Sequence, residues 1–207
     1  MILSFIVVLT TIVGSEARSD MKDSTMMGAE PRSLARATGG VYLGYFATAI
    51  CGSMLSGHAG VAVMCVASVL YAATSLLFYR LFRPVSRTIA LLATVFSLSG
   101  CVRDILDQLN RAPAWLSPLV FFGPFCLLLG WLILHSEFLP RWLGWPLIVA
   151  GVAWLAYLIP AVALHAKVVI LPIGFVAELA LMLWLLIKGV NEDRWAAVRS
   201  LRSMPIK

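Results

Sequence analysis

VVILPIGFVAELALMLWLLIK, residues 168–188, is an apolar run broken by a single acid, Glu178, and closed by Lys188. A helix of this length runs about 30 Å, the thickness of a bilayer's hydrocarbon core. Glu178 lies ten residues from either end, at the centre of that helix. A charge there costs roughly 2.5–3.5 kcal/mol on insertion scales, so the acid is expected to face protein rather than lipid. A helix with an inside and an outside needs neighbours. The stretch therefore predicts a membrane bundle and marks its first candidate site.

The remaining sequence agrees. Of 207 residues, 61% are hydrophobic and 13% charged, against about 25% charged in soluble proteins. The apolar residues fall in long blocks, which predicts an all-α polytopic membrane protein with a bundle of six transmembrane helices. The spans are read as 40–56, 60–81, 88–107, 116–134, 142–165 and 168–188. Short connections make consecutive helices antiparallel neighbours. Trp115, Trp142, Trp145 and Trp195 sit near span ends, where indole rings favour the headgroup level. Cys51, Cys65, Cys101 and Cys126 lie in apolar blocks without metal-ligand spacing and read as packing residues, although Cys51 and Cys65 could meet across a hairpin.

Thirteen of the sixteen basic residues fall on one set of loops: the N-terminal tail, the second-to-third and fourth-to-fifth connections, and the C-terminus. Only Arg103, Arg111 and Lys167 fall on the other side. This asymmetry predicts a multi-pass protein of a bacterial cytoplasmic (inner) membrane with both termini cytoplasmic. The formal charge of +6 is accounted for by these loops, and no basic helix or stacking motif points to nucleic acid. The lipid bilayer is the expected partner. Residues 2–14 are too short to span and lack a basic flank like that of a signal peptide. They read as untranslated sequence before a start at Met21, Met26 or Met27, or as an interfacial segment. The organisation is thus a flexible tail at 1–38, the six-helix domain at 39–190 and a short basic tail at 191–207, either an interface-lying helix or frayed.

LARATGGVYLGYF, LFYRLFRPVSRTIALLA, FCLLLGWLILHSEFLPRWLGWPLIVAG and ELALMLWLLIKGV carry a resemblance to a bacterial family, the domain of unknown function 4386. It covers roughly residues 34–190. The resemblance implies a six-helix membrane protein, and it brings no established activity and hence no catalytic residue. Two of these segments also echo each other, with Phe, Pro and Arg at an elbow between apolar runs, either a trace of hairpin duplication or chance.

No HExxH, GxSxG, P-loop or dinucleotide turn is present, so no enzyme, metal or cofactor is expected. His58, His135 and His165 lie far apart near span ends. Gly40, Gly44, Thr48, Gly52 and Ser56 recur every four residues, a smooth stripe for packing against a neighbouring helix or, as homo-oligomerisation, a second copy. In the third span Ser86, Ala90, Ala93, Ser97, Gly100, Asp104, Asp107 and Arg111 alternate spacings of four and three. That face is expected to be central, with Asp104 and Asp107 forming either a water-accessible mouth or a solvated helix end in which Arg103 and Asp107 pair at i, i+4. Glu178 is expected beside Arg103, with Gly174 leaving room for the carboxyl group and Pro172 disturbing the helix. Two functions follow. One is binding or transport of a small ligand, cation or proton by way of Asp104 and Asp107 to Glu178. The other is a non-catalytic structural or regulatory subunit whose buried polar residues only fix packing.

Overall fold

A computed structural model of the chain describes residues 31–111 and 117–203. The expectations for residues 2–14, for the starts at Met21, Met26 and Met27, and for Trp115 lie outside them. The described residues form α-helices and short 3-10 turns, with no strand. The helices are α1 (Pro31–Met54), α2 (Gly57–Phe82), α3 (Arg87–Gln108), α4 (Leu119–His135), α5 (Gly144–Leu155), α6 (Pro160–Ile187) and α7 (Glu192–Ser203). A 3-10 turn at Arg141–Leu143 leads into α5 and another at Ala156–Leu158 ends it.

Each of α1 to α6 packs against the next, and α6 packs back on α1, so the six close into a ring. Four stretches have the length and composition of membrane spans: Gly57–Phe82, Arg87–Gln108, Arg141–Leu158 and Val168–Ile187. Their outward faces expose Val66, Val69, Leu76, Leu92, Val149, Val176 and Leu183. Rows of bare aliphatic side chains of this kind suit lipid rather than water. The helix α1 is diluted by Gly, Ser, Thr and two arginines, and α4 is only 17 residues long.

Two boundaries and one expected irregularity differ from the sequence reading. The first helix begins at Pro31 rather than Gly40, because SLARA continues the helix inward and buries Ala35 and Thr38. The break expected between His165 and Val168 lies instead at Ile159, which is extended, with Pro160 opening α6. Proline drives the residue before it out of the helical region and is itself accepted in a first turn. The helix then runs unbroken through Pro172, where irregularity was expected. The loss there is one hydrogen bond to the Val168 carbonyl, which membrane helices tolerate.

The end of the ring that carries the α2–α3 and α4–α5 elbows, called here the basic end, is filled with apolar side chains. Phe78, Phe82, Phe138, Leu143, Leu181 and Leu185 are buried there, and the Phe82 and Phe138 rings of the two elbows lie 5.7 Å apart. The C-terminal segment clasps this plug. Gly189, at φ +71°, turns the chain out of α6, and the Asn191 N–H donates to the Phe138 carbonyl at 3.1 Å. The Trp195 indole N–H donates to the Leu81 carbonyl, also at 3.1 Å, and Arg194 donates to the Glu137 carbonyl. Trp195 is therefore buried against the bundle, whereas Trp142 and Trp145 are exposed. Trp195→Phe keeps the ring and loses the hydrogen bond. It is expected to cost about 1 kcal/mol, read as a lowered unfolding midpoint in detergent.

Candidate functional site

Glu178 is 8% exposed and lies where four helices converge. The Tyr42 hydroxyl from α1 donates to its Oε2 at 2.6 Å. The Tyr71 hydroxyl from α2 donates to Oε1 at 3.3 Å, and the Cys126 thiol from α4 approaches the same oxygen at 3.7 Å. A tyrosine buried at mid-helix needs a partner for its hydroxyl, and an acid at mid-helix needs donors. Each answers the other. The rings pack as a cluster, with Tyr71 edge-on to Tyr45 at 4.7 Å and to Phe122 at 5.0 Å.

Arg103 is not a partner of Glu178. It pairs with Asp107, one turn along α3, at 3.3 Å. The reason is depth: Arg103 is near the end of α3 that lies away from the basic end, while Glu178 lies in the half of α6 toward the basic end. Asp104 is partly buried and accepts from Ser68 of α2 at 2.5 Å, whereas the Asp107 side chain is 50% exposed. Further along the same face, Ser97 and Ser75 share a hydrogen bond, and Gly100 lets the Phe122 ring close to within 2.9 Å of where a Cβ would stand. This stripe thus packs against α2 and α4 and ends in acids near the surface.

Gly174 does not make room for the carboxyl group. Its missing side chain seats the Trp154 indole, whose Cζ2 would lie 2.0 Å from a Cβ there. The stripe on α1 also divides. Gly44 and Gly52 face α2, and Thr48 donates to the Gly44 carbonyl within its own helix. Gly40 has nothing within 4 Å, and Gly39 beside it takes the closest contact, against the Leu186 backbone of α6. Steps of four residues rotate about 40° each around a helix of 3.6 residues per turn, so a four-spaced row drifts off one face. Cys51 and Cys65 hold free thiols and form no disulfide.

Between Glu178 and the far end of the ring is a cavity of about 490 Å³. Tyr45, Phe46, Tyr71, Phe122, Trp154 and Phe175 line it, with Glu178 at its inner limit. Asp104 and Asp107 are not among its lining residues, so the expected polar route from those acids to Glu178 is replaced by an aromatic chamber. Tyr42, Tyr71, Cys126 and Trp154 were missed by reading the sequence. The signal available was the presence of tyrosines at the middle of α1 and α2, whose hydroxyls could not be left in lipid.

Residues 102–189 match a family described as a domain of unknown function, DUF4386. A relative in Archaeoglobus fulgidus, named only as an uncharacterized protein, is 31% identical over 120 residues, 54% of this chain and 72% of the relative. The chain belongs to the DUF4386 family. The DUF4386 match is narrower than the resemblance read from the sequence. It takes in the end of α3 and all of α4 to α6, with Arg103, Cys126, Trp154 and Glu178. Tyr42 and Tyr71, on α1 and α2, lie before it. The family description names no activity, and no solved structure matches the chain.

Proposed function

We propose that this protein crosses a cytoplasmic membrane six times, with both termini in the cytoplasm, and binds a small ligand inside its bundle. The observation that carries the reading is the cavity of about 490 Å³ ending on the buried carboxyl group of Glu178. Small-molecule pockets run about 300–1,000 Å³ and are mostly apolar with a few placed polar groups. The closed ring supports counting α1 and α4 as spans, since each lies between two helices of membrane length. The excess of basic residues at the elbows and the C-terminus supports the orientation. A reporter active only in the periplasm and fused after Lys207 is expected to be silent, and strong activity would reverse the topology.

The chamber's polar groups are one carboxyl, two tyrosyl hydroxyls and an indole N–H. This set is suited to holding a ligand and offers no activated nucleophile, so the reading is a binding protein and not an enzyme. Transport would further require the apolar plug at the basic end to open. A second reading, a purely structural lock, is favoured by the three donors that already hold Glu178. Ligand binding separates the two. The neutral probe 3,3-dimethylbutyl benzoate should raise the unfolding midpoint of the purified protein. Leu119→Trp, which fills part of the chamber wall, should remove that gain. No gain from this probe or from a charged analogue of the same shape would leave the structural lock.

A further inference from the structure

Six aromatic side chains line the chamber, and among the described residues its one carboxyl group is that of Glu178. Among the described residues, no lysine, arginine or histidine lines it. The groups that hydrogen-bond Glu178, from Tyr42, Tyr71 and Cys126, are neutral donors and bring no positive charge. Aromatic faces attract a cation within about 6 Å of the ring centre, most strongly when water is excluded. An anion here would meet the Glu178 carboxyl group with no compensating cation among the described lining residues.

A second observation is independent of charge. Trp154 is 7% exposed, and its indole N–H has only the Cys126 sulfur, a weak acceptor, beside it and no oxygen acceptor among the described residues. A buried N–H left to a weak sulfur acceptor falls short of the hydrogen bond that an oxygen would give it. It borders the same chamber, so an occupant with an acceptor oxygen would satisfy it. A plain hydrocarbon would not.

We infer that the chamber takes a small organic ammonium ion carrying an acceptor oxygen, with Glu178 and the ring faces on the cation and the Trp154 N–H on the oxygen. This rests on the cavity being a ligand chamber. The test titrates the full chain in detergent with benzoylcholine and with 3,3-dimethylbutyl benzoate, its uncharged carbon analogue with the same ester. Tryptophan fluorescence and the unfolding midpoint report saturable binding. Benzoylcholine is expected to bind about tenfold tighter or better. Glu178→Gln should remove that preference while leaving the ester's affinity within about twofold. Phe175→Leu removes a ring face without touching the Glu178 hydrogen bonds and should narrow the preference about threefold, so it keeps the test alive if Glu178→Gln does not fold. Trp154→Phe should weaken both probes by one common factor, about two- to tenfold. Equal affinity of the wild type for the two probes overturns the ammonium assignment and leaves the ligand chamber standing. A Trp154→Phe protein that binds both unchanged overturns the acceptor contact. Saturable binding of neither probe overturns the chamber itself.

Discussion

Gly39→Leu is expected to prevent the ring from closing, while Gly40→Leu next to it leaves stability nearly unchanged. A Cβ at Gly39 would lie 2.6 Å from the Leu186 amide nitrogen and 2.9 Å from its Cα. Both are backbone atoms of α6 and cannot move aside as a flexible side chain would. Overpacking a fitted core costs about 1–3 kcal/mol and more when backbone must shift. The α1–α6 contact that closes the ring should therefore separate, with a loss of folded protein in membranes. At Gly40 nothing is within 4 Å and the residue is exposed, so leucine there only adds apolar surface. Yield and unfolding midpoint of the two variants, measured side by side, check the pair. Equal loss in both would place α1 in a different rotation from the one described.

Tyr42→Phe is expected to destabilise the protein by about 1–3 kcal/mol, the range for leaving a buried acceptor without its donor. It removes the shortest bond to Glu178, and nothing enters to replace the donor. Combined with Glu178→Leu, the loss should be smaller than the two single losses added, because the oxygen left stranded in Tyr42→Phe is then gone. A coupling of about 1–3 kcal/mol in unfolding experiments is the expected sign of contact. Arg103→Ala with Glu178→Leu should instead be additive, since Arg103 pairs with Asp107. An additive Tyr42 cycle, or a coupled Arg103 cycle, would contradict the site as described.

Residues 168–188 contained enough to predict a membrane helix and an inward-facing acid. Both depend on local quantities: a run length, a transfer cost and the position of one charge. The antiparallel order of α1 to α6 was legible for the same reason, because short connections leave few ways to pack. The break at Ile159–Pro160 was also written in the chain, but the apolar pattern continues across it, and hydropathy does not register the loss of a helical residue before proline. Polarity at His165–Lys167 and backbone geometry at Pro160 favour different breaks, and the backbone geometry prevails.

The partner of Glu178 could not be read from the sequence. Charge complementarity pointed to Arg103, the only cation in a nearby apolar block, yet complementarity carries no information on depth or on the rotation of two helices. Tyr42 and Tyr71 stand 136 and 107 residues from Glu178 and reach it only because the ring closes α6 onto α1. The chamber has the same origin. Gly174 looked like space beside an acid, and the fold placed the Trp154 indole in that space, leaving the void elsewhere. The sequence by itself determined which helices exist, which residues cannot face lipid and which loops are basic, since each depends on transfer of a segment between water and hydrocarbon. Only the tertiary structure decided which donors meet the acid and where volume stays unfilled, because both depend on the relative rotation and depth of helices distant in the chain.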